Sequence, residues 1–299
     1  MLSIIICSIS PERLQSVRKN IEETIGVEHE FIVIDNREKK WPIAKAYNYA
    51  ARGAKCPYLF FVHEDVKFHS IGWGSFIESK LQEPDCGVIG FTGSKVMYRC
   101  YSGWGQSYKW VCSYLYQSTD GLTFFNVHNA YLEHEFEEVV ALDGLGMFVR
   151  KEVWASYPFD EELLTGFHCY DVDFSLQIAA SKRYKNYVSC SNKVLIEHFS
   201  LGNRNTAWYE DTIRLFKSKW SYILPLKVSG CVVTPKEEKK MEERFFNIFL
   251  RDMIKTGCPV KKKLMKEFLC YSFSWKHLLH CISMIYICLK VSLSSSKVI

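Results

Sequence analysis

Apolar and polar positions alternate in blocks along the first 65 residues. Residues 2–8, LSIIICS, form a continuous apolar run rich in β-branched side chains, which predicts a strand buried on both faces. Leu14, Val17, Ile21 and Ile25 then recur at helical spacing, behind Ser10 as cap and Pro11 in the first turn, and Gly26 stops the helix. Residues 30–36, EFIVIDN, repeat the strand pattern. Pro42 opens a second helix with Ile43, Ala46, Tyr47, Ala50, Ala51 and Ala54 on one face, and Cys56-Pro57 ends it before a third strand at 58–63. This β-α-β-α-β order predicts parallel strands with right-handed crossovers, and ligand binding beyond their carboxyl ends.

The pattern then becomes mixed. It predicts a helix near 71–82, a short strand at 87–91, a long Gly-, Tyr- and Trp-rich segment over 92–140, a strand at 141–149, a helix from about 171 to 182, a strand near 187–197 and a helix at 206–220. A connection as long as 92–140 is expected to bind or cover something. From Thr234 the chain reads as helices separated by Gly257 and Pro259, with a basic cluster at Lys261–Lys263 and an apolar stretch, HLLHCISMIYICL, at 277–289. That stretch is shorter than the ~18–20 residues of a spanning helix. It reads either as an interfacial helix or as one packed on the main domain or a partner. The expected organisation is an α/β domain over 1–220, with a mixed, mostly parallel sheet flanked by helices. A helical extension over 221–299 is expected to contact a membrane surface, through 260–290, or a partner.

Composition adds three constraints. A hydrophobic content of 48% in 299 residues supports a full core and argues against disorder. The net charge of +5 belongs to the tail, since residues 234–299 hold 13 basic against 6 acidic side chains. The twelve cysteines are scattered, with no C-x-x-C pair, and read as small core residues in a reducing compartment. The N-terminal apolar run is too short for a signal sequence and has no basic segment before it. The expected location is cytoplasmic, with a peripheral position at the inner face of the membrane, and no nucleic-acid partner is expected.

Candidate chemistry sits at the predicted strand ends: Ser8, then Asp35-Asn36, then His63-Glu64-Asp65. Carboxylates there are suited to hold a hard divalent cation against nucleotide phosphates, with Asp65 as direct ligand, or they are solvated loop acids with His63 capping a turn. Asp35 is placed to accept hydrogen bonds from a base or ribose, or to close an Asx turn. No G-x-G-x-x-G follows the first strand, which argues against a dehydrogenase. Asp171 and Asp173 fall in the first turn of a helix, where an acid is stabilised as the anion; it either caps or accepts a proton from an attacking hydroxyl. His198 ends a further apolar strand, and mixed carboxylate and imidazole ligation favours Mn2+ over Mg2+.

In this order these residues resemble the GT-A glycosyltransferases of the inverting family-two type, over roughly residues 2–220. SIIICS and FIVIDN resemble the two nucleotide-binding strands, AKAYNYAARGAKCPYLFFVHED the helix with an inward Asn48 leading to the D-x-D strand, and VALDGLGMFVRKEVW the central strand and its following helix. FDEELLTGFHCYDVDFSLQ is similar to the acceptor-side E-D segment, with Tyr170 where many members have Glu, and IEHFSLG to the segment carrying a late metal-binding His. The trio His63-Glu64-Asp65, CGVIGFTGSK with Trp104 beyond it, and FHCYDVDF are similar to the branch typified by a streptomycin-biosynthesis glycosyltransferase domain.

The resemblance implies transfer of a sugar from a UDP-, GDP- or dTDP-linked donor to a hydroxyl of a glycan or lipid-linked acceptor, with Mn2+ or Mg2+. Asp35, Ser8 and Asn48 would seat the nucleotide, with Glu64 in support. Asp65 and His198 would hold the cation, and Asp171 inherits the base role. Asp143 would bind sugar hydroxyls, and Trp104 would offer a flat face to the acceptor. His63 departs from D-x-D and leaves its ribose contact open. Two rival readings are a sugar nucleotidyltransferase, which normally wants a Gly-rich basic phosphate loop that SISPERLQ lacks, and a catalytically silent sugar-binding protein of the same fold.

Overall fold

The computed structural model describes residues 1–295 apart from 120, 131–133, 201, 203, 261 and 273. The chain divides into two units. The first comprises 1–97, 103–202 and 225–231, and the second 98–102, 203–224 and 232–299.

In the first unit the predicted opening alternation forms as β1 (Leu2–Ser8), α1 (Pro11–Thr24), β2 (His29–Asp35), the short α2 (Asn36–Lys39), α3 (Ile43–Gly53) and β3 (Tyr58–Val62). Ser10 caps α1 by accepting from Arg13 N, and Asp35 caps α2 in the same way through Arg37 N. The chain continues through β4 (Val66–Phe68), α4 (Trp73–Leu81), β5 (Cys86–Gly90), β6 (Thr92–Ser94), β7 (Val96–Met97), β8 (Val111–Thr119) and β9 (Leu122–His128). Then come β10 (Phe136–Val139), β11 (Ala141–Leu142), β12 (Gly146–Arg150), α5 (Lys151–Ser156), α6 (Tyr170–Ala180), β13 (Lys185–Ser189), β14 (Ile196–His198) and, later in the chain, β15 (Leu226–Lys227).

Among the described residues, one sheet runs in the order β10-β13-β5-β12-β3-β1-β2. β1 lies parallel to β2 and β3, with Ser8 opposite Asp35 and Ile6 opposite Val62, so three carboxyl ends share one edge. β12 is antiparallel to both β3 and β5, which makes the sheet mixed. The reason is visible in the chain: β12 brings Gly146 opposite Val62, so its amino end, not its carboxyl end, reaches the site edge. The core against α1 and α4 is apolar throughout, with Phe60 stacked on Phe148 at 3.8 Å and Phe68 on Trp73 at 4.2 Å.

Three expectations change. Residues 92–140 are not an irregular cover: β8 and β9 pair as a hairpin within a second sheet of order β11-β6-β8-β14-β4. The strand expected at 141–149 is broken over 143–145, where the Asp143 carboxylate turns back to accept from Leu145 N at 2.9 Å. The strand expected near 187–197 likewise splits into β13 and β14, around a 3-10 turn at Asn192–Val194.

The second unit holds α7 (Thr206–Ser218), α8 (Pro235–Lys255), α9 (Lys262–Leu269) and α10 (Trp275–Ser295), packed around Phe246, Leu250, Phe268 and Met284. Of the predicted basic cluster, Lys261 lies outside the described residues, and Lys262 and Lys263 open α9. Among the described residues no helix is long and apolar enough to cross a membrane.

Candidate active site

Beyond β3 the chain turns through His63-Glu64-Asp65 into β4, and β4 pairs antiparallel with β14, so that His198 lies opposite Val66. This register delivers a residue 133 positions away in sequence to the D-x-D-like turn. His198 Nε2 stands 3.7 Å from Asp65 Oδ1, and His63 Nδ1 stands 3.8 Å from the same oxygen. The three ligating atoms lie within 4.8 Å of one another. His198 is buried, and its Nε2 finds no hydrogen-bond partner among the described residues. An orphaned imidazole nitrogen aimed at a carboxylate is costly unless a cation completes it. The donor set fits a divalent metal: two imidazoles and a carboxylate suit Mn2+ better than Mg2+.

His63 is held in place from α6. Its Nε2 lies 2.6 Å from the Tyr170 hydroxyl, which donates in turn to the Gly144 carbonyl at 3.1 Å. With the hydroxyl proton spent on Gly144, His63 must donate from Nε2, and its Nδ1 presents a lone pair toward Asp65. Burial pushes the His63 pKa down, against the pull of Asp65. Gly144 is required by this arrangement, since a Cβ there would sit 2.2 Å from the Tyr170 hydroxyl and 2.6 Å from its ring.

The same Gly144 donates its N–H to Asp171 Oδ2 at 3.0 Å, in the first turn of α6. Burial first, and the neighbouring Asp143 charge second, raise the Asp171 pKa to about 7. A carboxyl poised there is matched to proton transfer near neutrality. Asp143 itself accepts from the Trp104 indole N–H at 2.7 Å, so the two predicted sugar contacts are brought together and Trp104 is anchored.

Other predicted residues are placed differently. Both Glu64 oxygens face the turn after β1: Ser8 Oγ donates at 2.5 Å and Ser10 N at 3.1 and 3.2 Å. Glu64 and Ser8 thereby clasp the ends of β1 and β3. Asp35 lies at the same edge, exposed, and its carboxylate is paired with Arg37, whose hydrogen bonds hold its pKa below the usual range. Asn48 does not join the cluster. Its amide donates to Phe159 O and Glu161, and accepts from Trp154 Nε1 and Phe159 N, pinning residues 154–161 to α3. Sequence reasoning did not single out His63 as a candidate ligand or Tyr170 as its hydrogen-bond partner; the H-x-D spacing at a strand end was the available signal. It also missed Arg13, whose guanidinium reaches 4.0 Å from Asp65 Oδ2.

A mixed α/β unit with an acidic and imidazole cluster beyond the carboxyl ends of its parallel strands has the arrangement of the GT-A fold. The family described as "Glycosyltransferase like family" matches residues 3–220, and the chain belongs to it. Solved structures similar to it include GalNAc-T7 with UDP, GalNAc and Mn2+ (10% identity, TM-score 0.52, covering 92% of this chain and 55% of that one). Two others are S. aureus TarS 1-349 in complex with UDP (12%, 0.50, 90% and 78%) and in complex with UDP-GlcNAc (11%, 0.51, 99% and 91%). The chain thus spans about half the length of the GalNAc-T7 chain. No curated protein sequence matches it significantly.

Proposed function

We propose that the protein transfers a sugar, with inversion, from a nucleoside-diphosphate donor to a hydroxyl of a glycan or lipid-linked acceptor, with Mn2+ or Mg2+. The observation that carries this reading is the convergence of His63 Nδ1, Asp65 Oδ1 and the orphaned His198 Nε2 on one point. A divalent cation bound there supplies neutralisation of the diphosphate as it leaves. The structural neighbours crystallised with UDP, UDP-GlcNAc, or UDP and Mn2+ support a nucleotide-sugar donor. Asp171 takes the proton of the acceptor hydroxyl while that oxygen attacks the anomeric carbon from the face opposite the departing diphosphate. Asp143 receives sugar hydroxyls, and Trp104, fixed by Asp143, offers its ring to the acceptor. Ser8, Asp35 and Arg37 stand where the nucleoside is expected, with Arg13 toward the diphosphate.

A carboxyl at Asp171 with its pKa raised to about 7 favours catalysis over a silent binding protein, because it suits proton transfer near neutrality. The H-E-D trio, CGVIGFTGSK with Trp104 beyond it, and FHCYDVDF are the features that favour the streptomycin-type branch. The reading extends to a peripheral, cytoplasmic position. In its support, α10 exposes Leu278, Leu279, Ile282 and Ile285, and α9 carries Lys262, Lys263 and Lys266. Incubation with a panel of UDP-, GDP- and dTDP-sugars tests the transferase. Metal-dependent release of nucleoside diphosphate is expected, and no turnover together with no metal-dependent nucleotide binding across the panel would sink the reading.

A further inference from the structure

The second unit contains a cluster that the transferase chemistry does not use. Glu243 of α8 and His277 of α10 are both more than nine-tenths buried, at 8% and 2% exposed. Their approach leaves His277 Nδ1 3.4 Å from Glu243 Oε1. His280, one turn further along α10, brings its Nδ1 to 3.2 Å from the same oxygen. The ligating atoms of all three residues lie within 4.8 Å of one another.

The protonation pattern matters. His277 Nε2 lies 2.9 Å from the Phe268 carbonyl, which can only accept, so the ring donates there and its Nδ1 carries a lone pair in the neutral form. That Nδ1 has no hydrogen-bond partner among the described residues. A buried imidazole lone pair facing a buried carboxylate oxygen is repulsive until a cation stands between them. A carbonyl holding the far nitrogen of a histidine is also the usual way a metal-binding ring is oriented.

We propose that Glu243, His277 and His280 form a zinc site that clamps α10 to α8. Zn2+ is the ion chosen because it takes imidazole and carboxylate ligands tetrahedrally at roughly 2.0–2.2 Å, which sets ligand separations of about 3.3 Å. The separations of Glu243 Oε1 from the two imidazole nitrogens, 3.2 and 3.4 Å, match that edge. His280 retains 23% side-chain exposure, so water can take the fourth position from its side.

The test uses the full chain with His198→Ala, which removes a ligand from the cluster at the strand ends, and zinc chloride alone as probe. One equivalent of tightly bound zinc is expected by calorimetry and elemental analysis, and adding His280→Asn or Glu243→Gln should remove it. Co2+ in place of zinc should give the intense visible absorption of a four-coordinate site, lost in the same variants. Should those variants fold poorly, the thermal midpoint of the His198→Ala chain decides: it should rise by a few degrees with zinc and fall on chelation. Equal zinc stoichiometry with and without the second substitution, or a midpoint indifferent to zinc and chelator, would reduce the cluster to an imidazole–carboxylate contact and overturn the proposal.

Discussion

Tyr170 occupies the position where the family resemblance led us to expect Glu, and its hydroxyl explains why a histidine stands at the first place of the D-x-D turn. The pair His63 and Tyr170 exchanges a direct acid for an oriented imidazole. Tyr170→Phe removes the acceptor that fixes the His63 tautomer, and the expected result is Mn2+ affinity weakened by about 10- to 100-fold. Manganese titration of the folded variant checks this. At Asp171 the raised pKa, about 7 against an unfolded value near 3.9, makes two predictions. Without added metal, the ionised fraction should grow through neutral pH, and Asp171→Asn should slow transfer by about 100- to 10,000-fold with nucleotide affinity retained. Between these pKa values the folded state holds the extra proton, so stability falls as pH rises. The Asn variant should therefore melt above the parent at about pH 8, with the difference gone below about pH 4. Equal melting at both pH values would refute the burial argument.

At the scale of elements, Glu64, in the turn after β3, and Asn48, midway along α3, do similar work. Glu64 ties the turn after β1 to the end of β3, and Asn48 ties α3 to the segment after α5. Asn48→Ala would leave the Trp154 N–H and both backbone groups of Phe159 without their partner. A loss of about 2–4 kcal/mol of stability is expected from such buried orphans. Urea unfolding alongside nucleotide titration checks it: a stability loss with unchanged affinity fits the scaffold role, whereas lost affinity in a stable variant would restore Asn48 to the nucleotide site. The β4–β14 pairing carries a comparable burden, because the register that sets His198 against Val66 is what aims its ring at Asp65.

At the scale of the whole molecule, α10 has one buried and one exposed face. His277, Cys281 and Met284 are buried, while Leu278, Leu279, Ile282 and Ile285 are exposed on a helix that follows the lysines of α9. An anionic vesicle should bind the full chain more tightly than a neutral one, by about 1 kcal/mol per engaged lysine. Ile282→Asp should weaken that binding without touching turnover on a soluble acceptor. Co-sedimentation at low and high salt measures both terms, and equal binding of the Asp variant would remove α10 from the membrane reading.

The local half of this protein was written in its sequence. Continuous β-branched runs, the Ser10-Pro11 start and the Pro42 helix produced the parallel edge of the sheet, because each depends on neighbours within a few residues. Ser8, Asp35 and Asp65 followed, since a strand end is itself a local feature. What the tertiary structure alone decided was every contact made across long sequence separations. The antiparallel insertion of β12, the hairpin of β8 and β9, the meeting of Trp104 with Asp143, and the saturation of Asn48 by residues more than a hundred positions away depend on non-local packing. The orientation of the His63 ring belongs to that group too. Its lone pair is set by a hydroxyl on α6, and no pattern within the H-E-D turn encodes which nitrogen carries the proton.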